Sequence, residues 1–191
     1  MKAILALLLV AVSGFASAAE VAGVTLTDAV QIASGGPQLV LNGAGLRKRV
    51  FFDVYAIGLY LPAKRSGAAE VLSLAGPKRI AIRMLRDVDA DQFADAFADG
   101  IRQNHSEADA KAIAPRLKEL TAIMTEMKEA KKGMSIALDW VPGTGTLVQI
   151  EGKPAGKAIP GEDFYRGLLR VWLGEDPVQA DLKKALLGQP Q

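Results

Sequence analysis

The chain has 191 residues, half of them hydrophobic, with a formal net charge of +2, a single histidine and no cysteine. That length fits one core better than two domains. Without cysteine there is no disulfide framework and no thiol catalysis. With only His105, a zinc site or a catalytic triad is excluded, and no basic cluster gives nucleic acid an electrostatic footprint.

Taken in order, Met1-Lys2, the apolar run Ala3 to Val12 and the small residues Ala16-Ser17-Ala18 have the pattern of a secretory signal peptide. Cleavage is expected after Ala18 or Ala19, so residues 1–19 are assigned to the signal and 20–191 to one domain. A membrane anchor would need ~20 apolar residues, and Ser13-Gly14 interrupts this run. Lys2 carries one of the two net charges, so the exported chain is almost neutral. Export without cysteine suits a bacterial periplasm.

Val21 to Leu26 reads as a short first strand, and Gln38 to Leu41 as a second. Asn42-Gly43 has the composition of a tight reversal, which would pair that strand with a long central one ending at Pro62. If the central strand is regular from Arg47, one parity carries Arg47, Arg49, Asp53 and Tyr55, closed at its far end by Ile57 and Leu59. That is either a pocket with a charged mouth or a strand entering the core from solvent, with Arg49 and Asp53 as a solvated pair. Apolar residues on both parities toward Leu61 predict cover on both faces.

Ser66 to Leu74 fits a short helix, and Arg79 to Arg86 an alternating strand with Arg79 and Arg83 on a wet or ligand-facing side. Asp89 can cap a helix to about Gln103 with Phe93, Phe97, Gly100 and Ile101 along one stripe. Ser106-Glu107-Ala108-Asp109 opens a second helix that buries Ile113, Leu117, Leu120, Met124 and Met127, and Gly133 ends it. Asp91, Asp95 and Asp99 share a helix face whose plain reading is solvent. His105, between these helices, reads as a loop or cap residue. Met134 to Trp140, Thr146 to Glu151 and Ala155 to Ile159 form an antiparallel meander, followed by a helix carrying Phe164, Leu168, Leu169 and Trp172 to Gly174, and a last helix from Val178 to Leu187. This order predicts an α+β fold with a largely antiparallel sheet. Gly143-Thr144-Gly145 lacks the lysine and spacing of a phosphate loop, so no nucleotide cofactor is expected, and none of any other kind.

Gly43-Ala44-Gly45-Leu46-Arg47, a short gap and Tyr55-Ala56-Ile57-Gly58-Leu59-Tyr60-Leu61 resemble the start of the chalcone isomerase-like family, in its bacterial secreted branch. The resemblance implies a large sheet with helices packed on one face and a ligand cleft between them. It also implies an arginine at Arg47 and a hydroxyl residue at Tyr55, where the family's enzymes more often carry threonine. The helix positions that in true chalcone isomerases hold tyrosine, lysine and asparagine fall on Phe93, Ala96 and Gly100, so three polar groups would be missing. Losing one oxyanion donor typically costs ~10²–10³ in rate. The expectation is therefore a non-catalytic binding protein for a small carboxylic or phenolic ligand of apolar body, as in the fold's fatty-acid-binding relatives. Arg47 would pair the anion, Tyr55 hydrogen-bond it, and Phe93 and Phe97 pack its body. No catalytic residue is assigned. An isomerase or intramolecular lyase using Arg47 and Tyr55 is the alternative, and a third is a structural or partner-binding protein in which Arg47 braces the glycine-rich turn.

Overall fold

The computed structural model describes residues 19–32 and 36–190; all but the last residue of the predicted signal peptide, and the first two residues of a turn that the composition of Ser34-Gly35-Gly36-Pro37 predicts, lie outside them. The described part begins with a small hairpin, β1 (Ala19–Val21) and β2 (Val24–Leu26), where one strand was expected, and continues through β3 (Ala29–Gln31). Then come β4 (Gln38–Arg49), β5 (Phe52–Leu61), α1 (Ala68–Ser73), β6 (Lys78–Met84) and the two-residue β7 (Val88–Asp89). The helix pair α2 (Ala90–Gln103) and α3 (Glu107–Thr125) leads to β8 (Glu129–Ala130), which pairs with β7. The meander β9 (Ser135–Val141), β10 (Gly145–Ile150), β11 (Lys153–Ile159) and two helices, α4 (Glu162–Leu173) and α5 (Ala180–Leu186), complete the chain.

Seven strands form one antiparallel sheet in the order β11-β10-β9-β6-β5-β4-β3. Its helix-facing side carries Ile57, Leu59, Ile80, Ile82, Ile136 and Leu138, which meet Phe164, Leu168 and Trp172 of α4 in the main core. Burial of this apolar surface is the principal stabilising term. On the opposite side Tyr60 is buried in a second cluster with Leu26, Leu39 and Leu41, so β5 is covered on both faces as its composition implied. Arg79 also lies on that far side, in a bidentate bond to the wholly buried Asp139 at 2.6 and 2.7 Å. The ion pair closes this face of β6 at Arg79, whereas Arg83, on the same face, is exposed, so the expected wet side holds there.

The helix boundaries follow their capping chemistry. Asp89 accepts from the Gln92 amide at 3.0 Å and Ser106 from the Asp109 amide at 3.1 Å, each satisfying an otherwise orphaned donor. Phe93, Phe97 and Ile101 are buried along α2, while Asp91, Asp95 and Asp99 face solvent. His105 bonds the Ile101 carbonyl at 2.7 Å through Nδ1, a helix-end contact.

The reversal expected at Asn42-Gly43 does not occur. β4 runs straight through both residues, and the chain turns instead at Val50-Phe51, with Arg49 opposite Phe52. Asn42 is a bulge: Leu41 pairs with Tyr60 and Gly43 with Leu59, leaving Asn42 as the extra residue. Its side chain is buried, donating to the Leu186 carbonyl at 2.7 Å and accepting from the Arg65 amide at 2.6 Å. The bulge changes which face the following residues occupy. Leu39 and Leu41 face away from the helices, whereas Gly43, Gly45 and Arg47 face toward them.

The glycines of this stretch serve close packing rather than turning. A Cβ on Gly43 would lie 2.1 Å from the Ala185 carbonyl oxygen, and one on Gly45 would lie 2.6 Å from the Leu182 side chain. α5 therefore rests directly on the backbone of β4.

Candidate ligand cleft

Arg47 and Tyr55 are not two positions of one strand, as a regular central strand would have them, but partners across the β4–β5 hairpin. Antiparallel partners share a face, so both side chains point toward the helices. Asp53 is paired with Lys48 one step nearer the tip, and the register shift between them leaves Val54 as the extra residue. Asp53 takes no part in the cleft lining, whereas Arg49 does.

Opposite the hairpin, α2 supplies Gln92, Phe93, Ala96 and Phe97, and α4 with the segment after it supplies Val171 and Val178. These residues enclose a cleft of about 100 Å³ that contains all four residues expected from the sequence: Arg47, Tyr55, Phe93 and Phe97. Phe93 meets the Tyr55 ring edge to face, centroids 6.3 Å apart, and Phe97 meets Trp172 in the same way at 5.2 Å. Gln92 and Ala96 are exposed and form the rim.

The polar end of the cleft is held from behind. Trp172 Nε1 donates to the Tyr55 hydroxyl at 3.0 Å. Burial pushes the Tyr55 phenol above its ordinary value of 10.0, against the smaller opposing effects of the Trp172 bond and the Arg47 charge. The phenol is thus neutral at neutral pH, and among the described residues no acceptor takes its proton. Arg47 donates through Nη1 to the Lys48 carbonyl at 2.6 Å and lies 3.5 Å from Gln179 Oε1. Among the described residues no carboxylate forms an ion pair with Arg47. Gln179 also accepts from the Lys48 amide at 2.8 Å and donates to the Leu46 carbonyl at 3.2 Å, so it steadies the strand that carries Arg47.

Trp172 and Gln179 were not expected at the site. Trp172 reads from sequence only as part of a buried helical stripe. Its N–H is the available signal, since a buried indole needs an acceptor. Gln179 precedes a short helix, and nothing in its neighbours announces a contact with a strand more than a hundred residues earlier.

Of the helix positions aligned with the family's polar groups, Phe93 and Ala96 line the cleft but Gly100 does not. A Cβ on Gly100 would meet Val171 Cγ1 at 3.0 Å. A side chain there would press on the Val171 and Val178 side chains, so the position is packed against α4 and the segment after it rather than open to the cleft. Among the described residues no group of histidine, cysteine or carboxylate side chains could hold a metal ion.

No curated protein sequence matches the chain. Its fold is similar to that of a crystallised Arabidopsis thaliana fatty-acid binding protein, with a TM-score of 0.64, 18% sequence identity, and coverage of 86% of this chain and 92% of that one. The chalcone isomerase-like family profile matches residues 18–188. The chain therefore belongs to the chalcone isomerase-like family and has its α+β fold, an antiparallel sheet backed by helices.

Proposed function

We propose that this protein is a non-catalytic binder of a small apolar acid, a fatty or phenolic one, in the cleft between the β4–β5 hairpin and α2. The observation that carries the reading is that Arg47, which has no carboxylate partner among the described residues, and the neutral Tyr55 phenol line the same cleft as Phe93, Phe97, Val171 and Val178, with Arg49 and Gln92 as its other polar residues. A carboxylate there would gain a charge-assisted bond from Arg47 and a second bond from Tyr55, while its body replaces water against apolar side chains. The plant neighbour of the same fold is named a fatty-acid binding protein, which adds support.

The size of the cleft bears on the ligand. Sites for drug-sized ligands begin at roughly 300 Å³, and this one measures about 100 Å³. A chain of more than a few carbons enters only if Phe93 or Phe97 swings aside. Both rings are on α2, and both belong to the core.

The lyase alternative has less support. It would need polar groups from α2, and that helix offers Phe93 and Ala96 to the cleft with Gly100 packed against Val171. We place the protein in the periplasm on the strength of its N-terminal pattern; among the described residues no helix is long and apolar enough to cross a membrane. The test is native mass spectrometry of the purified protein, with extraction and identification of what it carries. A stoichiometric acid that is missing from Arg47→Gln supports the reading. A bound species retained in full by that variant, or none from any preparation or after incubation with fatty acids, contradicts it.

A further inference from the structure

The β4–β5 hairpin ends in three adjacent apolar residues that the fold leaves outside: Val50, Phe51 and Phe52 are 77%, 93% and 58% exposed. They are the large hydrophobic residues the described structure exposes to this degree, and they form a single protrusion. Isolated exposed apolar residues are ordinary, but three in a row at a loop tip are not.

The backbone opposes their presence. Val50 has φ of +57°, a region that β-branched residues rarely adopt and that glycine or asparagine occupy without strain at a two-residue reversal. Folding alone would favour replacing it. A strained valine thus stands beside two exposed phenylalanines, an apolar tip set against local backbone preference.

Cations surround the base of the tip. Lys48 and Arg49 precede it, and the Arg86 guanidinium lies 4.5 Å from the centre of the Phe52 ring. The loop before β9 adds Lys131 and Lys132; it reaches this end of the sheet through the Lys132 amide, which bonds Asp87 at 2.7 Å. Asp53 follows the tip and Asp87 follows Arg86, while Glu129 and Glu151, the latter bonded to Ser135, flank the Lys131-Lys132 loop, so the positive charge is concentrated at Lys48, Arg49 and Arg86.

We propose that this hairpin tip is a docking element for anionic lipid bilayers, with Val50, Phe51 and Phe52 entering the headgroup region and Lys48, Arg49 and Arg86 pairing lipid phosphates. Aromatic residues favour that interface, and flanking basic residues add attraction to anionic lipid. A single protruding tip buries far less than the ~800 Å² per partner of a standard protein interface, so a bilayer fits its shape better than a protein surface. Arg47, Arg49 and Val54 connect the tip to the cleft, so docking would bring the cleft mouth to the membrane. That use rests on the binding reading above, whereas docking itself does not.

The test is co-sedimentation of the full chain with vesicles of phosphatidylcholine alone or mixed with phosphatidylglycerol, comparing wild type with Phe51→Ser, a side chain that the fold leaves in solvent. The expected result is binding to the mixed vesicles that weakens with salt and falls about tenfold in the variant. Equal partitioning of wild type and variant overturns the proposal, whichever segment then holds the vesicle. So does salt-independent binding to phosphatidylcholine alone. A wild-type dimer that the variant converts to monomer in vesicle-free buffer also overturns it, by assigning the tip to a protein contact. Fatty-acid binding measured without vesicles separates the two readings: it is retained in Phe51→Ser if the tip serves docking alone, and its loss there would move the tip into the cleft and overturn the proposal.

Discussion

The indole N–H of Trp172 donates to the hydroxyl of Tyr55 at 3.0 Å, tying the polar end of the cleft to α4 behind it. Both residues are buried, so the bond leaves neither the indole donor nor the phenol acceptor to water. Tyr55→Phe removes the acceptor and strands the Trp172 N–H. The expected cost is about 1–3 kcal/mol of stability, read by urea denaturation, with a weaker acid complex read by titration calorimetry. A variant as stable as wild type would show that Trp172 finds another partner and that Tyr55 is not held as described.

Phe93 fills the body of the cleft and is 6% exposed. Truncating it to alanine is expected to cost about 3 kcal/mol and to enlarge the site. The optimum chain length for bound fatty acids should shift upward by several carbons, measured as dissociation constants across a homologous series. An unchanged optimum would place the ligand's body elsewhere.

Gly43 allows the backbone of β4 to touch α5. In Gly43→Ala the new Cβ would lie 2.1 Å from a carbonyl oxygen, and backbone cannot move aside as a flexible side chain can. A loss of at least about 3 kcal/mol is expected, with α5 released, seen as faster amide exchange over residues 180–187. Only a small loss would mean that α5 is readily displaced.

The same residue shows where sequence reading failed and why. Asn42-Gly43 has the composition of a tight turn, and composition cannot distinguish a glycine that permits positive φ from one that permits contact with a helix 140 residues later. The bulge at Asn42 is likewise set by tertiary partners, Leu186 and Arg65, and not by its neighbours in the chain. The true reversal was hidden because Val50-Phe51 has none of the residues a reversal favours. Local chemistry did declare the helices, through Asp89 and Ser106 at their starts and the Phe93/Phe97 spacing. The four residues expected at the cleft came from the family resemblance, and the misplaced turn did not disturb them. Arg47 and Tyr55 face the same way whether they lie on one strand or oppose each other across a hairpin, so the wrong turn still led to the right face.

Alkaline pH offers a separate check on the core. Tyr55, Tyr60 and Tyr165 are the chain's three tyrosines, and burial raises every phenol above 10.0. Unfolded tyrosines ionise near that value, so above it the folded state holds more protons than the unfolded one. The stabilisation is complete below pH 10 and is lost as pH rises through the folded values. Lys78 works the other way: burial lowers it below 10.5, so stability gains from it as pH rises toward 10.5. Three tyrosines outweigh one lysine, and a single cooperative alkaline transition is expected, with phenolate absorbance and loss of secondary structure coinciding. A tyrosine that ionises at its ordinary value while the protein stays folded would contradict the packing described.

The most direct test of the binding account compares a medium-chain fatty acid with the alcohol of equal length, in wild type and in Arg47→Gln, by titration calorimetry at neutral pH. The account predicts that wild type binds the acid about ten- to a hundredfold more tightly than the alcohol. It also predicts that most of this preference disappears in the variant, with the fold's stability nearly unchanged. Equal affinity for acid and alcohol in wild type, or an acid preference that survives the loss of Arg47, would contradict it.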